Sequence, residues 1–211
     1  MRGRLVAVCA VGTCHTDHVD KPDSHKRSRA IARTGLIAAL YAALTLLSLT
    51  FLQGLAWGPV QLRLSEALCV LALFTPTAIP GLTLGCVIGN LLGIVINATG
   101  PLGLLDVVFG SLATLLGSLW MWRLRQHRAL ALLGPVLFNA LIVAAYLPVL
   151  LAALGFYTIP FTDIDLGGIW PAMYVFGFIG IATGEAAVLY GLGLPLARLL
   201  QRIGLAETLT D

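Results

Sequence analysis

Side chains capable of chemistry stand inside stretches of this sequence that are otherwise apolar. They are the acids Glu66, Asp106 and Glu185, the amides Gln61, Asn90 and Asn139, the cation Arg63, and the rings Tyr174 and Phe178. An ionisable group sunk in hydrocarbon costs several kcal/mol and marks a site or a pathway. Glu185 is the sharpest case, about 20 Å from Arg198 at helical rise. Tyr174 and Phe178 precede it by 11 and 7 residues, roughly on one helical face. Rings above a carboxylate make a stacking and hydrogen-bonding platform for a planar, nitrogen-rich ligand. The other reading is a protonated Glu185 bonded to a neighbouring helix.

Asp106 shares a face with Gly103 and Gly110, so it turns into a bundle and away from lipid. It lies about 26 Å from Arg123 by the same rise, near the opposite surface. Asn139 is about 15 Å deep, and Tyr146, seven residues on, shares its face. Asn90 and Asn97 flank a glycine stripe, where amides either bind a solute or tie helices together. Arg63 and Glu66 are three apart and can pair with each other. They either clamp a loop or form the mouth of a site.

No nucleophile elbow, phosphate-cradling glycine loop or His-Glu-x-x-His pattern accompanies these groups. Cys9, Cys14, His15 and His18 match no recurring zinc spacing, so no metal and no cofactor is expected. Cys69 and Cys86 lie in apolar runs, where thiols act as small hydrophobes.

The elements that must position these residues are membrane helices. The chain has 211 residues, 58% hydrophobic and 11% charged, with a mean hydropathy of +0.93. A soluble domain carries about a quarter charged residues, which excludes an ordinary cytosolic enzyme, a nucleic-acid binder and a disordered chain. Six apolar stretches follow: Thr34 to Leu52, Leu64 to Phe74, Ile79 to Ala98, Leu102 to Trp122, Ala129 to Leu154 and Gly168 to Ala197. The second is short for a crossing. The runs do not alternate, which argues against a barrel and leaves an all-α membrane protein of six transmembrane helices.

Of 13 Lys and Arg, seven precede the first stretch, three lie in Arg123 to Arg128, two follow the last, and only Arg63 stands apart. The positive-inside rule then places both termini in the cytoplasm. Phe51 to Gln61, Asn97 to Pro101 and the loop with Asp163 and Asp165 fall outside. Residues 1–33 read as a polar, disordered cytoplasmic extension: Leu5 to Val11 is too short for a signal-peptide core. Residues 34–200 form the membrane domain and 201–211 a cytoplasmic tail. Gly81, Gly85, Gly89 and Gly93 recur every four residues and make a groove for close helix approach. Gly103, Gly110 and Gly117 repeat the device at seven-residue spacing.

Several runs resemble the QueT family. They are Tyr41-Ala-Ala-Leu-Thr45, Gly58-Pro-Val-Gln-Leu-Arg-Leu-Ser-Glu-Ala-Leu68, Ile79-Pro-Gly-Leu-Thr-Leu-Gly-Cys86 with Gly89-Asn90, and Asp106-x-x-x-Gly110-Ser-Leu-Ala-Thr114. Asn139-Ala-Leu-Ile-Val and Gly184-Glu185-Ala-Ala-Val-Leu-Tyr complete the set. The resemblance spans about residues 34–200 and is most specific in the Gly-Pro-x-Gln-x-Arg-x-Ser-Glu block. It implies a substrate-binding (S) component of an energy-coupling-factor (ECF) importer for a queuosine precursor of 7-deazaguanine type. The partners implied are a membrane T-component and two cytoplasmic ATPases, with T-component contact through Ala38, Ala39, Ala42 and Ala43. Alanine packing inside the subunit is the alternative for those four.

With that ligand, Glu185 or Asp106 reads the guanine-like edge, Asn90, Asn139 and Gln61 add hydrogen bonds, and Tyr174 or Phe178 stacks on the ring. An aminomethyl cation would take the second carboxylate. Two rivals share the sequence features. One is an S-component for a different vitamin-like solute. The other is a small intramembrane enzyme using Glu185 and Asp106, which their different depths disfavour.

Overall fold

A computed structural model describes residues 24–52, 61–153 and 170–206. Cys9, Cys14, His15, His18, most of the Phe51 to Gln61 connection, the loop with Asp163 and Asp165, and the last five residues lie outside them. No strand occurs among the described residues, as continuous apolar runs in lipid require.

The helices are α1 (Ser24–Phe51), a 3₁₀ helix (Leu64–Leu73), α2 (Ala78–Ile96), α3 (Ser111–Arg123), α4 (Arg128–Ala153), α5 (Trp170–Val188) and α6 (Leu194–Arg202). A 3₁₀ turn (Gly100–Gly103) and a π turn (Asp106–Gly110) lead into α3, and a second π turn (Leu189–Gly193) joins α5 to α6. Five helical stretches are long and apolar enough to cross a bilayer: Lys26–Phe51, Ala78–Ile96, Gly100–Arg123, Arg128–Leu150 and Trp170–Arg202. The last runs beyond the expected Ala197 boundary. The polar Asp17 to Arg33 stretch, expected to be disordered, is helical from Ser24. Lys, Arg and Ala are good helix formers, and a helix already nucleated in the membrane extends through them at little cost.

The glycine stripe on α2 does what its spacing predicts, and its partner is α1. A Cβ on Gly81 would strike Ile37 and Thr34, on Gly85 Tyr41 and Ala38, on Gly89 Thr45, and on Gly93 Leu49. Both residue series rise together, so α1 and α2 lie side by side and run parallel. The chain between them must therefore return over the same depth. It does so antiparallel to α1: the Leu64 N–H donates to Ser48, Thr45 donates to Ser65, and Tyr41 donates to Glu66. At the far end Thr34 donates to the Thr77 carbonyl.

Ten 3₁₀ residues rise about 20 Å, and the three residues before them, extended at Arg63, add up to about 10 Å. That length is comparable to the ~30 Å of a hydrocarbon core, which ten α-helical residues alone would not approach. A 3₁₀ run this long is uncommon. Here it is buried on nearly every side, from Ser65 to Leu73, and its surroundings hold it.

α3 and α4 form an antiparallel hairpin through Leu124–His127. Gly117 lets the Pro135 backbone approach, and Gly134 seats Trp120, whose indole donates to the Leu130 carbonyl. α4 and α5 pair through Gly177 against Leu147 and Ala144. These directions gather Lys26 to Arg33, Arg123 to Arg128, Arg198 and Arg202 at one end of the bundle. Arg63 is buried toward the other.

Candidate functional site

The Gly100–Gly103 turn reverses the chain after α2, and the π turn then delivers Asp106. A π turn carries an extra residue per turn and is frequent at functional sites; here its first side chain points into the bundle. Asp106 accepts a hydrogen bond from the Tyr146 hydroxyl on α4. Arg63 Nη2 stands 3.7 Å from Asp106 Oδ2, and Arg63 Nη1 donates to Asn90 Oδ1 at 3.1 Å. Asn90 Nδ2 in turn donates to the Asp106 carbonyl at 2.8 Å. Arg63, Asn90 and Asp106 thus close a ring of polar contacts, and Tyr146 joins it at Asp106, four residues from four segments. All four are buried, and a buried ion pair persists only when hydrogen bonds satisfy its remaining groups. Gly110 leaves room for the ring, since a Cβ there would sit 3.1 Å from Asn90 Nδ2 and 3.7 Å from the Tyr146 hydroxyl.

The ring forms one wall of a cleft lined by Thr45, Leu49, Arg63, Asn90, Gly93, Ile94, Asn97, Thr99, Gly103 and Asp106. Counted to its open mouth, the cleft encloses about 250 Å³. Most of that is open to solvent, and the enclosed space is enough for about one water molecule. The rim has unusual backbone, with Ala98 at φ 50° and Gly100 at φ 58°, a region that L side chains seldom adopt.

A second polar group lies away from this cleft. Glu66 accepts from Tyr41 and from the Cys69 thiol at 3.1 Å. Glu185 Oε1 accepts from Asn139 Nδ2 at 2.9 Å, while Oε2 has no partner. The Gln61 backbone presses on Gly184 so closely that no side chain could replace the glycine hydrogen. Every polar residue predicted to turn inward is buried: Gln61, Arg63, Glu66, Asn90, Asp106, Asn139 and Glu185. They do not converge on one point.

The structure corrects three expectations. Arg63 does not pair with Glu66. Its extended backbone (φ −90°, ψ 109°) sends the guanidinium toward Asp106, while Glu66 turns to Tyr41. Tyr174 and Phe178 make no platform in the cleft. Tyr174 stacks on Trp170 at 5.3 Å, Phe178 tilts on Tyr174 at 6.4 Å, and both pack on the core that holds Tyr146 and Ile181. Ala38 and Ala42 are buried inside the subunit, against α2 in the case of Ala38, so only Ala39 and Ala43 of that set face outward.

Thr99 and Tyr146 belong with the cleft and were not among the expected site residues. Tyr146 carried a signal, its shared face with Asn139. Thr99 carried none, as a threonine in a loop. Among the described residues no cluster of three or more His, Cys, Asp or Glu could hold a metal ion.

Comparison with known proteins gives two matches. The family described as QueT transporter matches residues 31–202. A relative, the queuosine precursor transporter QueT of Lactococcus lactis subsp. cremoris (strain MG1363), is 35% identical over 85 residues, 40% of this chain and 44% of the relative. The aligned part thus spans less than half of that relative's length. No solved structure matches the chain.

Proposed function

This chain belongs to the QueT transporter family, a multi-pass membrane family, and on that premise we propose that it is the substrate-binding S-component of an ECF importer for a queuosine precursor. ATP hydrolysis would come from partner subunits, since no nucleotide motif occurs in the sequence. The return segment 61–76 counts as the sixth crossing, and the basic end of the bundle faces the cytoplasm. The cleft then opens to the cell exterior.

The observation that carries this reading is the cleft itself, with a carboxylate, a guanidinium and a carboxamide on one wall at the end away from the cations. A guanine-like edge offers adjacent N–H donors, which a carboxylate accepts in pairs. Asp106 supplies that acceptor, held in place by Tyr146 and Arg63. Asn90 fixes the π-turn backbone through the Asp106 carbonyl. The contacts with Tyr146 and Arg63 keep Asp106 aimed while the cleft is empty, so little reorganisation of that side chain is needed on binding. Seating a bicyclic ring requires the walls to part beyond their present width, with the strained Ala98–Gly100 rim as the part that moves.

Behind the cleft, Glu66 ties the 3₁₀ segment to α1 through Tyr41, Asn139 ties α4 to α5 through Glu185, and the Gln61 backbone packs on Gly184. The outward-facing Ala39 and Ala43, with Gly35 on the same side, are the residues to meet a T-component by close helix approach.

Titration of the purified protein with a 7-deazaguanine checks the assignment. Binding should be lost by at least tenfold in Asp106→Asn, which removes the paired acceptor, and less in Tyr146→Phe. Equal affinity in Asp106→Asn and the parent would remove Asp106 from the site.

A further inference from the structure

Two buried polar atoms in the cleft have no partner: the Thr99 hydroxyl and the Asn97 side-chain nitrogen. Both residues line the same cavity as Asp106. Thr99 is 7% exposed. Buried polar groups are nearly always satisfied, and each exception calls for a cause. The local structure keeps these two unpaired. Gly103 leaves open the volume beside the Thr99 hydroxyl, where a side chain would collide with it. The Ala98 residue between them takes a left-handed conformation, and such strain persists only where the surroundings enforce it.

Resting on the reading of this cleft as the ligand site, we infer that Asn97 and Thr99 donate hydrogen bonds to a ring carbonyl of the ligand, next to the N–H edge taken by Asp106. A carboxamide nitrogen only donates, and a hydroxyl can donate. Both therefore suit an oxygen acceptor, and the Asn97 nitrogen, which cannot accept, leaves an amino group at that ring position unmatched on its side. A carboxylate and two donors lining one cavity are complementary to a lactam edge, with N–H and C=O adjacent. The two residues thus set specificity for a 6-oxo ring over its 6-amino counterpart. Sites built to hydrogen-bond a group discriminate strongly against an analogue that lacks it.

The experiment uses the full chain in detergent micelles and two probes, 7-deazaguanine and its 6-amino analogue. The latter also lacks the N1 proton, so the readout is the change in preference on substituting Asn97 or Thr99. The parent should favour the 6-oxo compound. Thr99→Val and Asn97→Leu should each weaken 6-oxo binding by about five- to tenfold, the worth of one hydrogen bond. Binding of the 6-amino compound should barely change, so the preference narrows. The melting temperature of the ligand-free protein should hold or rise, because each substitution removes an unsatisfied buried group. Unaltered affinity and preference in both variants, with binding lost in Asp106→Asn, would overturn the inference and leave the binding site standing. A lower ligand-free melting temperature with unchanged affinity would make both residues structural and overturn it too. Failure of the parent to bind either probe would take away the site reading and this inference with it.

Discussion

Glu185 is fully enclosed, yet its side chain has one donor, Asn139, on one of its two oxygens. Gln at this position would keep the shape and leave an oxygen for Asn139, so Glu185→Gln should move the melting temperature by no more than about 2 °C. Asn139→Leu strips Glu185 of that donor. Leaving a buried group unmade costs about 1–3 kcal/mol, which is several degrees for a chain this long at about 2–4 °C per kcal/mol. Thermal unfolding in detergent ranks the two, and the opposite order would mean that Glu185 is held as a charge by groups other than Asn139. Neither variant should change ligand affinity beyond about twofold, because neither residue lines the cleft.

The inward turn of these polar residues was legible in the sequence, since hydrocarbon leaves an acid or amide no other direction. Their partners were not. Helical spacing reports only neighbours three or four apart, which made Glu66 the natural mate for Arg63. The true mate, Asp106, lies in another segment, and the extended backbone at Arg63 decides between them.

At the scale of elements, the α1–α2 contact rests on glycines that a side chain cannot replace. A Cβ on Gly85 would lie 2.6 Å from Tyr41 Cβ and 2.8 Å from the Ala38 carbonyl oxygen. Backbone cannot step aside as a flexible side chain can, so Gly85→Ala must push α1 and α2 apart. Overpacking typically costs about 1–3 kcal/mol, and the tie between Tyr41 and Glu66 should loosen with it. Gly35 offers the control on α1, with nothing within 4 Å of the added carbon. Gly35→Ala should be neutral or stabilising by up to about 1 kcal/mol from helix propensity. Melting curves of the two variants should therefore move apart, and equal shifts would disprove the close approach.

The stripe was plain in the sequence, but its target was not. Four-residue spacing says that something comes near, and α1 was first read through its alanines as a surface for another subunit. Half of that alanine set is consumed by packing inside the molecule. The remaining half supports a narrower expectation: Ala39→Trp should lower uptake in cells while leaving ligand affinity of the purified subunit intact. Loss of both together would place Ala39 in the fold and not at a partner.

For the whole molecule, the parallel run of α1 and α2 is the support for counting residues 61–76 as a further traverse in the proposed topology. Two parallel neighbours joined by one connection need a return, and, among the described residues, 61–77 run back along α1. An apolar count alone marks Leu64–Leu73 as too short, because it assumes the 1.5 Å rise of an α-helix. The 3₁₀ rise and the extended residues before it supply the missing length. With the proposed even number of traverses, Lys26 to Arg33 and Arg202 lie on one side of the membrane, together with the Arg123–Arg128 turn.

The cleft rim at Ala98 is then on the opposite side, and a membrane-impermeant maleimide separates the two. In a chain with Cys9 and Cys14 replaced, the buried Cys69 and Cys86 should stay unlabelled. Ala98→Cys should react in intact cells, whereas Arg125→Cys should react only after the membrane is opened. Ala98 and Arg125 are both exposed in the fold, so a difference between them reports sidedness and not burial. Labelling of both in intact cells would mean that the return segment does not cross, and the reverse pattern would turn the cleft toward the cytoplasm, where an importer could not load from outside.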